Sequence, residues 1–110
     1  MALSGCARSI HLTLPGGPLS LSVTVNGVQT KQCAISQDSE QYKALSAWLG
    51  AHQDDWQSSV ATYVPGIVVT GDDFNLNFLQ SAAILNHAGS QLTHQVSPSE
   101  YAFLVCAGNP

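Results

Sequence analysis

The sequence predicts an α+β fold: a mostly antiparallel sheet of about six to seven strands, one main helix at about 38–52 packed across it, and a short C-terminal helical turn. Three observations carry this. Most of the chain alternates apolar and polar residues, the period of a strand with one buried face. One stretch alone repeats at three- and four-residue steps, the period of a helix, and turn-forming pairs separate the alternating runs. Strands, one helix, then strands again is the order of an α+β domain rather than of repeated βαβ units.

In "SIHLTLPGG", Ile10, Leu12 and Leu14 alternate with Ser9, His11 and Thr13, predicting a first strand that the following Pro and Gly residues end. "LSLSVTV" continues the alternation through Leu19, Leu21, Val23 and Val25. Asn26-Gly27 follows at once, the favoured pair for a two-residue type I′ hairpin, and "VQTKQCAI" is the return strand. Residues 9–35 therefore read as a β-meander.

The period then changes. Tyr42, Leu45, Trp48, Leu49 and His52 form one apolar stripe at helical spacing. Ser36 or Asp38 is the expected N-cap, with Gln41 three residues after Asp38 in a capping-box-like pair. Gly50 weakens the last turn by about 1 kcal/mol relative to alanine. In the polar connection "QDDWQSS", Trp56 is expected to fold back onto the core as a plug.

Ile67, Val68 and Val69 run into the turn Gly71-Asp72-Asp73, and Phe74, Leu76 and Phe78 alternate with Asn75 and Asn77 on the way back. "AAILNH", a turn at "AGSQ" and "LTHQV" make a second hairpin. Ser97 as N-cap, Pro98 at the first helical position and Glu100 as the box acid start a short helical turn. No internal repeat, linker or low-complexity stretch interrupts this. Residues 9–110 read as a single domain, with 1–8 ahead of it as residual signal and tether.

Composition bounds the partners. A chain of 110 residues can bury roughly 60 to 70 per cent of its unfolded surface, enough for one core without a metal or cofactor. Charged residues make up 9%, against about 25 per cent in an average soluble domain, so neutral amides and hydroxyls must solvate the surface. Arg8, Lys31 and Lys43 stand alone against seven acids, which leaves too little positive charge for the counterion release that drives nucleic-acid binding. No run of 18 apolar residues encodes a membrane-spanning helix.

Cys6, Cys33 and Cys106 are an odd set, so one bridge plus one cysteine of another fate is the expectation for an exported chain. A bridge between Cys33 and Cys106 is one reading; two buried thiols, or a bridge involving Cys6, are the others. Leu3-Ser4-Gly5-Cys6 resembles the lipobox of bacterial lipoproteins, in which small residues precede a cysteine that becomes the lipidated first residue. The resemblance implies that Cys6 is the acyl acceptor and that a basic and apolar signal peptide precedes Leu3, of which only Met1 and Ala2 are present. It also implies a periplasmic domain anchored to the outer membrane, because Ala7 is not the aspartate that favours inner-membrane retention in that family. Membrane contact is then through the lipid on Cys6 alone.

Candidate chemistry is sparse. His52, Asp54 and Asp55 at the helix end, or His87 and His94 flanking a hairpin turn, have metal-ligand residue types, but a histidine at a helix C-terminus and acids in a turn are ordinary there, and no metal or cofactor is expected. A Cys106–His94 nucleophilic pair is the one enzymatic possibility. Asn75, Asn77 and Asn86 project from strands with apolar neighbours and, with Tyr63, offer a neutral hydrogen-bonding surface for a protein or glycan. The favoured function is a small envelope-anchored lipoprotein acting by binding rather than catalysis, of inhibitor or immunity type or an accessory subunit, with another envelope protein as its partner and no nucleic acid. A cytosolic α+β binding or subunit domain with reduced thiols is the alternative, and a small hydrolase the third.

Overall fold

A computed structural model of the chain describes residues 7–10, 12, 14, 18–59, 63 and 65–106. One antiparallel sheet of eight strands organises them: β1 (Ala7–Arg8), β2 (Leu19–Val25), β3 (Val28–Ile35), β4 (Trp56–Ser58), β5 (Ile67–Thr70), β6 (Phe74–Phe78), β7 (Ala82–His87) and β8 (Ser90–Gln95). Their spatial order is β1-β4-β8-β7-β6-β5-β2-β3. Helix α1 (Glu40–Ala51) lies between β3 and β4 in sequence, and a 3₁₀ turn (Pro98–Tyr101) follows β8. The fold is α+β, as expected.

The hairpins form where turn chemistry demands them. Asn26 and Gly27 have φ of 52° and 80°, and Ala88 and Gly89 repeat those values at the β7–β8 turn. Both are two-residue turns with positive φ at each central position, the type I′ pattern that matches strand twist. The second turn is thus two residues long rather than the four of "AGSQ", and β8 begins already at Ser90.

Register sorts the side chains into two faces. Across the sheet, Cys33, Leu21, Val69, Leu76, Leu85 and Leu92 stand in one row of paired positions. They point to the face that α1 covers with Leu45, Trp48 and Leu49, all buried. The helix carries the chain from the β3 edge to β4 near the opposite edge. Trp56 is fully buried, plugging the core as anticipated, and meets Trp48 edge-on at 6.2 Å between ring centroids.

Two local expectations change. Ile10 and Leu12 are buried as alternation implied, but residues 9, 10, 12 and 14 are not in a strand. The Ile10 N–H donates to the Gln53 carbonyl, just beyond the helix, so the segment is held by a loop instead of a ladder partner. Sheet pairing occurs two residues earlier: Ala7 and Arg8, expected in the tether, pair with Gln57 and Trp56. The helix is capped by Ser39, whose hydroxyl accepts from the Tyr42 N–H at 3.1 Å, and not by Ser36 or Asp38. That start leaves Gln41 on the first turn, where its Nε2 donates to the carbonyls of Phe103 and Val105 and ties the helix to the C-terminal segment.

Cys33 and Cys106 are joined, with Cα atoms 5.7 Å apart and a sequence separation of 73. Leu3, Ser4, Gly5 and Cys6, the lipobox-like residues, lie outside the described residues.

Candidate functional site

The face opposite α1 is polar and is crossed by the connection from β4 to β5. These two strands are separated in the sheet by β8, β7 and β6, so the chain must pass over three strands. Its described points show the route. The Ser59 N–H donates to the Gln91 carbonyl on β8, Tyr63 sits over β6 and β7, and the Gly66 carbonyl accepts from Thr24 on β2. Gly66 passes so close to β6 that a Cβ there would lie 2.8 Å from the Phe78 carbonyl oxygen.

Under this connection the structure brings together all four residues of the expected binding surface. Asn77 Nδ2 donates to the Tyr63 hydroxyl at 3.2 Å and to Asn75 Oδ1 at 3.1 Å. Asn86 Nδ2 donates to the same two oxygens at 3.1 and 2.9 Å. Register explains the meeting: Asn75 pairs with Asn86, and Asn77 lies two residues along β6 on the same face. Asn77 is only 3% exposed, the one buried polar residue among those described. A buried amide without partners costs about 1–3 kcal/mol, so the network is what permits it there. Ile84, the neighbour of Asn77 on β7, is buried on this face too.

A second cluster, of which spacing along the chain reveals only the Trp48–His52 pair, gathers at the C-terminal end of α1. Trp48 and His52 stack at 4.3 Å between centroids, and His94 meets the rings of His52 and Trp56 edge-on at 5.3 and 5.1 Å. Glu100 from the 3₁₀ turn closes it. One carboxylate oxygen accepts from Trp48 Nε1 at 3.2 Å and lies 3.3 Å from His52 Nε2; the other accepts from the Ser97 N–H at 3.0 Å. The Ser97 backbone donor, followed by Trp48 and the Ser97 hydroxyl, holds the Glu100 carboxyl below its ordinary range, against a desolvation that pushes the other way. The sequence signals for this cluster were the helical spacing that sets Trp48 and His52 on one stripe and the capping box that fixes Glu100 in place; nothing in the spacing joined the two.

The remaining candidates are dispersed. Asp54 accepts from the Ser9 hydroxyl at 2.6 Å, whereas His52 contacts Glu100. His87 pairs with Phe74 and Ser90, and His94 with Ala83, so the two histidines do not face one another. Among the described residues no group of three or more His, Cys, Asp or Glu side chains is placed to hold a metal ion. The Cys106 sulfur is bonded to Cys33, which removes the thiolate that a Cys106–His94 pair needs.

No protein-family model, curated protein or solved structure matches the chain.

Proposed function

We propose that the protein is a small non-catalytic binding module of the bacterial envelope, anchored to the outer membrane through lipid on Cys6, facing the periplasm, and recognising another envelope protein with the sheet face opposite α1. One observation carries the recognition reading: Asn75, Asn77, Asn86 and Tyr63 converge there in a single neutral network. With Asn77 buried beneath them, the half-buried amides of Asn75 and Asn86 on a low-charge sheet offer directional hydrogen bonds without the desolvation cost of burying charges at an interface. The Cys33–Cys106 bond suits an oxidising compartment, where such bridges persist. The lipobox-like Leu3-Ser4-Gly5-Cys6 supplies the attachment point.

Two measurements test this. Expressed from its own gene in a bacterium, the mature protein should carry a diacylglyceryl mass on Cys6 and fractionate with the outer membrane, and Cys6→Ser should release it; an unmodified Cys6 in the cytosolic fraction defeats the anchor. A photo-crosslinking residue at Pro65, exposed beside Tyr63, should trap an envelope protein, whereas one at Ala47, exposed on α1, should not. Crosslinks from Ala47 alone would assign recognition to the helix face instead.

A further inference from the structure

The geometry points to a neutral-sugar subsite at one end of this same face, an inference that rests on the reading of that face as the recognition surface. The turn Gly71–Asp73 and the turn Ala88–Gly89 rise on either side of an open cleft of ≈ 530 Å³, floored by the outer-face row Thr70, Asn75, Asn86 and Gln91. These four are direct neighbours across β5, β6, β7 and β8, so they stand at the strand spacing of roughly 4.8 Å, comparable with the length of one pyranose ring.

The network fixes what the floor presents. Asn75 uses its Oδ1 twice, accepting from Asn77 and Asn86, and its Nδ2 has no side-chain partner among the described residues. Asn86 uses its Nδ2 twice, and its Oδ1 is left without one. A fixed donor therefore stands beside a fixed acceptor. Neighbouring hydroxyls on a sugar each donate and accept, and such a pair satisfies both groups at once without any charge. Holding the amides in place beforehand reduces the ordering cost of binding.

The walls select against other ligands. The exposed carboxylates of Asp72 and Asp73 line the cleft and, among the described residues, no Lys or Arg does, so anions are repelled. Those carboxylates are additional acceptors for sugar hydroxyls. His87 Nδ1 donates to the Asp73 carbonyl at 3.2 Å and braces the turn against β7.

Heteronuclear NMR titration of the folded protein with maltotriose, cellotriose, chitotriose and a glucuronate-containing trisaccharide tests the assignment. At least one neutral trisaccharide should shift the amides of Thr70–Asn75 and Asn86–Gln91 saturably at millimolar concentration or below, with the acidic sugar at least tenfold weaker. Asn75→Ala should abolish the shifts. Because that change also cuts the network, Thr70→Val with Asp73→Asn, both at exposed positions, should weaken binding about tenfold while leaving the rest of the spectrum in place. No response to any sugar, shifts confined to other surfaces, or equal binding of the acidic sugar overturns the subsite. If Pro65 crosslinks to a protein while no sugar shifts the cleft, the recognition face stands and only its ligand class is wrong.

Discussion

Asn77 is the position where one atom decides most. Its amide is buried on what would otherwise be a solvated face, and its tolerance depends on the Tyr63 hydroxyl and Asn75 Oδ1. Tyr63→Phe removes a single oxygen and strips one acceptor from both Asn77 and Asn86. We expect it to cost about 1–3 kcal/mol, read from urea unfolding, with amide exchange rising first around Tyr63 and Gly66. Glu100 contributes to acid behaviour. Its carboxyl is held below the ordinary range by Ser97 and Trp48, so its contribution is fully present above the unfolded-state value near about 4.3 and is lost as pH falls through the lower folded value. Thermal melts between neutral pH and about pH 3 should therefore decline on the acid side, and Glu100→Gln should flatten that limb, with Trp48 fluorescence following the same midpoint. An unchanged acid limb in Glu100→Gln would place the acid sensitivity elsewhere.

At the level of elements, the sequence was most legible where local chemistry settles the outcome. Asn26-Gly27 makes its turn, the Gly71–Asp73 hairpin closes as expected, and the stripe of Leu45, Trp48 and Leu49 is the buried face of α1. It was least legible where a distant partner decides. Alternation in Ile10 and Leu12 reports burial correctly, but a strand also needs a ladder neighbour, and that position is taken by Gln53. "SQDS" offers several cap-forming side chains in a row, and Ser39 wins because it starts the helix with Tyr42 accessible to its hydroxyl and Leu45 facing the sheet. The three asparagines of the outer-face network were identifiable as polar residues among apolar neighbours and Tyr63 as an aromatic in the connecting loop; the full histidine–tryptophan–glutamate cluster was not, because Trp48 and Glu100 lie on different elements. Ala88 is a local mismatch that fold context overrides, since alanine at φ 52° adopts a conformation asparagine accepts more readily. Ala88→Asn should raise stability by about 0.5–1 kcal/mol in chemical denaturation, without shifting the register of β7 and β8.

Across the whole molecule, the bond between Cys33 and Cys106 closes the largest loop. At a sequence separation of 73, the chain-entropy model gives about 4 kcal/mol, a sizeable share of the stability of a domain of this size. The double variant Cys33→Ser, Cys106→Ser should lower the free energy of unfolding by about that amount and loosen the Gln41 contacts to Phe103 and Val105, visible as faster exchange at the C-terminal end. The chain also treats its two faces alike in one respect: α1 bridges the sheet on one side and the 59–66 connection bridges it on the other. Each spans strands that are already neighbours of something else, so neither bridge can seat before the sheet beneath it exists.

That arrangement sets an order of assembly. Strands β5 to β8 are consecutive in sequence and adjacent in space, whereas Leu21 must find Val69 and β4 must reach β8 across long intervening stretches. Pairings between remote residues carry the loop-closure entropy that slows folding, toward milliseconds to seconds for such topologies. The β5–β8 run is the natural nucleus and the two bridges are latecomers. Leu85→Ala, inside that run, should slow refolding in stopped-flow measurements, while Ile10→Ala, held to Gln53 outside it, should mainly speed unfolding. The tyrosine–asparagine lock would then be among the last contacts made on the way in and among the first released on the way out, so the outer-face network is complete only when the rest of the molecule is already folded.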